Sequence, residues 1–180
     1  MIAPAVLSSL DTEVHGPFSW LRSAPHGAPW FFTATQRTLA GVYLWGVPHL
    51  GGALICWAGF TTHPFERRFR THTREYLAGT YSILDTAALL EGKRIEVWHG
   101  MWFRRDSIDR VDDYLARAEG LAKETRKLLH TFRIYLIPLE PQRRVLARME
   151  AAIVNGLYGA APEIAAILDQ GYHHEPRRDD

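Results

Sequence analysis

The chain has 180 residues, of which 47% are hydrophobic, 23% charged and 12% aromatic, a balance that suits one folded domain and excludes a disordered, collagen-like or coiled-coil chain. Lysine and arginine number 21 against 20 aspartates and glutamates, a formal charge of +1, so no global attraction to nucleic acid or to an acidic membrane operates, and any phosphate partner must be met by a local patch. The single cysteine, Cys56, excludes an internal disulfide and a CxxC metal site and points to a reducing, cytoplasmic compartment.

Met1 to Leu10 is mildly apolar but lacks a basic leader, is too short to span a membrane and runs into Asp11 and Glu13, unlike a secretory signal. Residues 11–37 set Gly16, Pro17, Pro25, Gly27 and Pro29 among Phe18, Trp20, Trp30, Phe31 and Phe32. These turns break any long helix and pin apolar anchors, so residues 1–37 are expected to form an ordered extension. Leu39 to Val47 and Ala53 to Ala58 read as strands rich in β-branched and aromatic residues, joined by the loop 48–52 into a hairpin.

Pro64 stands where a helix can start, and Phe65, Phe69, His72 and Tyr76 follow at spacings of four, three and four, giving a helix over about 64–78 that Gly79 ends. Lys93 to Trp102 is strand-like, and Ile108 to Leu129 is a long amphipathic helix. Phe132 to Leu139 is a further strand bounded by Pro138 and Pro141. Gln142 to Tyr158 is a helix with Val145, Leu146, Met149, Ile153 and Leu157 on its buried side. Pro162 to Leu168 suggests one more short helix, and the polar residues 173–180 are expected to fray.

Chemistry-bearing residues lie on these elements in a definite order. Gly41-Val42-Tyr43 is on the first hairpin strand and Trp57-Ala58-Gly59 on the second; Thr61, Phe65, Arg68 and His72 follow, and Glu150 lies on the later helix. This order resembles the GIY-YIG nuclease superfamily, over about residues 39–77 and 132–158. The resemblance implies an α/β fold of the α+β type, a small, mostly antiparallel sheet flanked by helices, with a catalytic core at 39–158 and an insertion at about 80–130 in a single domain of 1–180. It also implies that Tyr43 activates water, Arg68 binds the scissile phosphate, His72 assists by proton transfer or by holding a phosphate, and Glu150 holds Mg²⁺ or Mn²⁺ during hydrolysis of DNA. Trp57, Gly59, Arg67, Tyr76 and Lys93 are the accompanying candidates for substrate contact.

The residue types suit those roles. Arg68 and His72 are four apart and share a helical face, and a guanidinium can bond two phosphate oxygens while staying charged. The alternative is a solvated face, since Arg67, Arg70 and Arg74 lie on the same helix. Glu150 borders the apolar stripe, where metal binding or pairing with Arg143 or Arg144 would account for it. Tyr43 would need nearby positive charge to act as a base; otherwise it is a half-buried aromatic with its hydroxyl satisfied.

Two features depart from the family. Trp57 stands where the second motif has a tyrosine, so Tyr76, Tyr81 or Lys93 would have to supply the missing polar group, and Asn155 lies too close to Glu150 to match the family's asparagine. Residues 63–75 carry four arginines against Glu66 and Glu75, and 133–148 four against Glu140, whereas 106–113 is acidic. Basic character thus falls on the segments that carry the candidate site. No HExxH or clustered Cys/His pattern suggests zinc, His173-His174 lie in a polar tail, and Trp98 and Trp102 beside Lys93, Arg94, Arg104 and Arg105 read as core sooner than as base-stacking residues. DNA is the expected partner, with no membrane association, and a palindrome-cutting role would call for a homodimer. The competing function is a binding module for nucleic acid or protein that has kept the fold and lost the chemistry.

Overall fold

A computed structural model of the chain describes residues 13–22, 27–101, 107–160 and Ile167. The strands are β1 (His15–Ser19), β2 (Gly41–His49), β3 (Gly52–Thr61), β4 (Ile83–Leu84), β5 (Glu96–Trp98) and β6 (Arg133–Pro138). The helices are α1 (Phe65–Leu77), α2 (Thr86–Leu90), α3 (Ser107–Thr131) and α4 (Arg143–Ala160). The fold is α+β. Four antiparallel strands form the main sheet in the order β1-β6-β2-β3, and β4 and β5 form a separate antiparallel pair.

The hairpin forms where the β-branched and aromatic runs predict it, but it is longer. Pro48 and His49 remain in β2 because the turn needs only Leu50 and Gly51, both at positive φ (45° and 76°), the geometry that matches the twist of a two-residue hairpin. Centrally placed β2 is buried at every position from Gly41 to Val47. It is so tightly flanked that a Cβ on Gly41, whose φ is 146°, would lie 2.2 Å from the carbonyl oxygen of Ile137 on β6. Only glycine fits there.

Helix α1 lays Phe65, Phe69, His72 and Tyr76 against the sheet, as the spacing predicts, with Phe69 5.3 Å from Tyr43 and 5.9 Å from Trp45 between ring centroids. Helix α4 packs against β3 and β2, burying Leu146, Ile153, Val154 and Leu157; Val145, expected on that side, is exposed. The strand expected over Lys93 to Trp102 is only β5, paired to the short β4, and Trp102 is outside the described residues. So are Pro25, Arg104, Arg105 and Asp106, the side chain of Asp109, all but Ile167 of the short helix expected at 162–168, and the 173–180 tail with His173 and His174.

The extension departs most from expectation. Besides pinning apolar anchors, it supplies β1 as a sheet edge, then two 3₁₀ turns, Phe31–Thr33 and Thr35–Thr38. Trp20, 1% exposed, meets Trp45, Phe69 and Tyr76 edge-on at 5.2, 5.0 and 5.9 Å, and its indole N–H donates to Thr73 Oγ1 at 2.9 Å. Burying so large a ring makes the extension part of the core. Trp20→Ala is therefore expected to cost about 3–5 kcal/mol in urea unfolding; a loss below about 1 kcal/mol would mean that the extension only rests on the surface.

Candidate active site

Strand register sets the site. Tyr43 on β2 pairs with Gly59 on β3, and a Cβ on Gly59 would lie 2.5 Å from the Tyr43 hydroxyl oxygen. The phenol ring therefore lies across the bare backbone of Gly59, which seats Tyr43 rather than facing a substrate. Two residues along, Trp45 and Trp57 pair across the same strands and stack at 5.2 Å and 2°. Tyr43 stacks on Trp45 at 5.9 Å and Tyr81 on Trp57 at 5.9 Å.

His72 is enclosed by these four rings. Its centroid is 4.9 Å from Trp45, 5.5 Å from Tyr43, 5.7 Å from Tyr81 and 6.3 Å from Trp57, and it has no exposed surface. Both ring nitrogens are engaged, Nε2 with the Tyr43 hydroxyl at 2.9 Å and Nδ1 with the Tyr81 hydroxyl at 2.8 Å. Burial, reinforced by the Arg68 charge, lowers its pKa from 6.5 to about 2. It is a neutral imidazole, donating through one nitrogen and accepting through the other. Holding a phosphate, one of the roles expected of it, is excluded: it carries no charge and reaches no solvent.

The Arg68 Nε–H donates to the Tyr43 hydroxyl at 3.0 Å. Burial works against the Arg68 charge, but Tyr43, Tyr81 and Glu150 outweigh it, and the net shift is upward. For Tyr43 the balance goes the other way. Burial pushes its pKa above the ordinary phenol value, the charge and hydrogen bond of Arg68 oppose that, Glu150 adds to it, and Trp57 makes a small opposing contribution. Glu150, half-buried on α4, therefore acts electrostatically on both Tyr43 and Arg68. Tyr43, Arg68 and His72 come together from β2 and α1, with Glu150 on α4 within electrostatic range; Arg68, Trp57 and Glu150 are half-buried.

The other candidates fall elsewhere. Tyr76 is buried in the core, where it packs with Trp20 and Phe132 as well as Tyr81. Lys93 pairs with Glu91 at 2.8 Å beside Gly92, whose Cβ position is 3.2 Å from the His49 ring; that end of β2 is six residues, about 20 Å, from Tyr43. Of the three residues that could stand in for the missing tyrosine, Tyr81 is the one in contact with the cluster, its buried hydroxyl lying on His72 Nδ1. Arg67 is exposed, one residue from Arg68 but turned 100° around the helix.

The basic run 133–148 is not a phosphate-binding face throughout. Arg133 is buried and donates through Nη1 to the carbonyls of His130, Thr131 and Phe132 at 3.2, 3.0 and 3.0 Å, closing the C-terminal end of α3, where a cation is favoured. Trp98 is core, 1% exposed, with its N–H on the Gly79 carbonyl at 2.8 Å. Among the described residues no three His, Cys, Asp or Glu side chains gather as a metal site, and no helix is long and apolar enough to cross a membrane. No protein-family model, curated protein or solved structure matches the chain.

Because the folded His72 binds its proton far more weakly than the unfolded one, the unfolded state gains a proton below pH 6.5 and the folded state does not. Stability due to this residue is constant above pH 6.5 and is lost on acidification, by about 1.4 kcal/mol per pH unit down towards pH 2. Urea unfolding at pH 6.5, 5.5 and 4.5 is expected to show a steeper fall for the wild type than for His72→Gln. Equal slopes would contradict the buried neutral imidazole.

Proposed function

We propose that the protein is a metal-dependent nuclease of the GIY-YIG type that hydrolyses DNA phosphodiester bonds in the cytoplasm. The observation that carries this reading is the direct contact of Arg68 Nε with the Tyr43 hydroxyl at 3.0 Å, within electrostatic reach of Glu150. A cation, a proton-transfer group and a carboxylate from three separate elements converge at one place. That is the minimum set for moving a proton from water while charge builds on a phosphate.

Arg68 spends its Nε–H on Tyr43 and presents its Nη donors to phosphate oxygens. Tyr43 first loses its own proton to solvent; the phenolate, held by the Arg68 Nε–H, then takes the proton of the attacking water as the new P–O bond forms, and the P–O bond to the leaving sugar oxygen breaks as that oxygen takes a proton from solvent. His72, neutral and closed in, does not store this proton; it fixes the direction of the Tyr43 hydroxyl and is itself fixed by Tyr81. The donor set fits a hard divalent cation only in part: Glu150 gives one carboxylate, so water and substrate phosphate must complete the shell, which suits Mg²⁺ or Mn²⁺. When bound, such a cation supplies positive charge against the charge of the transition state.

A second reading, a nucleic-acid or protein binding module on the same fold, draws on one observation: burial keeps Tyr43 protonated despite Arg68. Nicking of supercoiled plasmid with Mg²⁺ or Mn²⁺ separates the two. We expect cleavage that EDTA stops and that Arg68→Ala and Glu150→Gln each slow by about 100-fold or more; salt-dependent DNA retention without nicking would establish the binding module. Since Tyr43 must lose a proton whose pKa burial raises, the rate at saturating metal is expected to climb about tenfold per pH unit from about pH 6 until Tyr43 ionises in the metal complex, and to level off above that. A flat profile would remove Tyr43 as the base.

A further inference from the structure

A cavity of about 850 Å³ lies away from Tyr43 and Glu150, between the outer side of α1 and the extension. Arg70, on its wall, is 200° around the helix from Arg68. The extension lines the cavity with Trp20, Trp30 and Phe32, and α1 with Arg67, Arg70 and Arg74. Trp30 and Phe32 stand 5.6 Å apart at 55°, with Arg22 over the first ring at 5.0 Å and Arg70 over the second at 5.2 Å.

The charge is one-sided. Four arginines share the cavity with a single carboxylate, Glu66, which Arg37 and Arg70 already engage at 3.2 and 2.7 Å. Arg22, Arg67, Arg70 and Arg74 are all exposed, so their guanidinium groups can turn from ring faces to an arriving anion. Two tilted aromatic faces recessed among guanidinium groups match a ligand that alternates flat rings with anions. Bases within a duplex are stacked on one another and do not reach into a recess, whereas unpaired bases do. An acidic peptide would satisfy the arginines but leave both ring faces without a partner.

We propose that this groove binds an unpaired stretch of a DNA strand, with bases on Trp30 and Phe32 and phosphates on Arg67, Arg70 and Arg74. A polar ridge runs along the groove side of α1: Arg74 Nη2 donates to Thr71 Oγ1 at 3.4 Å, and Thr71 Oγ1 to the Arg67 carbonyl at 3.2 Å, ending at Arg67, the sequence neighbour of Arg68, from which it is turned 100° around the helix. Continuity of the strand from the groove to Arg68 rests on the nuclease reading. Occupancy of the groove does not.

The test is fluorescence anisotropy of a labelled 12-nucleotide oligothymidylate with the full chain in EDTA, over a salt series, beside a duplex of the same length. The single strand is expected to bind more tightly than the duplex. Trp30→Ala should weaken it about 5- to 100-fold, while Trp30→Phe, which keeps a stacking ring, should stay within about threefold of the wild type. Arg74→Gln should reduce the slope of log affinity against log salt by about 0.7. Equal affinity for duplex and single strand, equal loss in Trp30→Ala and Trp30→Phe, an unchanged salt slope, or displacement by polyglutamate at matched charge would each overturn the proposal. If this pattern holds and plasmid nicking is absent, the nuclease reading falls and the groove stands.

Discussion

Much of the architecture follows from the burial of His72. An imidazole with no exposed surface needs a partner for each ring nitrogen, because a buried polar atom left unpaired costs about 1–3 kcal/mol. Tyr43 and Tyr81 provide the two hydroxyls, and each demands something of the backbone in turn. Tyr43 can reach inward only because Gly59 has no side chain, and it is held in register by a β2 so closely flanked that Gly41 cannot carry one either. Tyr81 arrives from just beyond α1 because the chain leaves the helix at Ala78 and Gly79 and turns back toward the sheet. Trp45 and Trp57 fill the space around the imidazole with flat, stacked surface. A rigid hydrogen-bonded chain from Tyr81 through the neutral His72 to Tyr43 and on to the charged Arg68 is the outcome.

Local pattern carried the sequence reading where each element is self-contained. The hairpin and α1 announce themselves by β-branched alternation and by the 65, 69, 72, 76 spacing, and Arg68 and His72 are neighbours on any helix. What the pattern lacks is the third dimension. Strand β1 is five residues containing a glycine and a proline, HGPFS, with none of the alternation that marks a strand; it exists because β6 offers it an edge. Tyr76 and Tyr81 look equivalent as aromatic residues with a hydroxyl, and only the fold puts one in the core beside Trp20 and aims the other at Nδ1 of His72. Trp57 reads as a loss of a hydroxyl, yet in place it is one wall of the enclosure that keeps His72 neutral.

Charge counting along the chain erred for a related reason. A segment is not a face. The four arginines between residues 63 and 75 divide around α1, Arg68 turning inward to Tyr43 and Arg67, Arg70 and Arg74 outward to the aromatic groove, while Arg133 is consumed by the end of α3. The helical angle of 100° per residue divides one basic run between two faces of different character, one where a single half-buried cation meets Tyr43, the other open and lined with several.

The electrostatics of the inner site depend on what meets Glu150. Its carboxylate disfavours loss of the Tyr43 proton, adding to the effect of burial, and Arg68 at 3.0 Å does not overcome the two together. An incoming phosphate would further compensate the Arg68 charge and hold Tyr43 protonated. A divalent ion held by Glu150 would more than balance that carboxylate and, as the largest local charge, would favour loss of the Tyr43 proton. On the nuclease reading, Tyr43 becomes a usable base only when a cation offsets the charge of both Glu150 and the substrate phosphate, and the resting protein holds it as a neutral, satisfied phenol. The same burial that stabilises the hydrogen-bonded chain thus keeps the site inactive until its charges are complete.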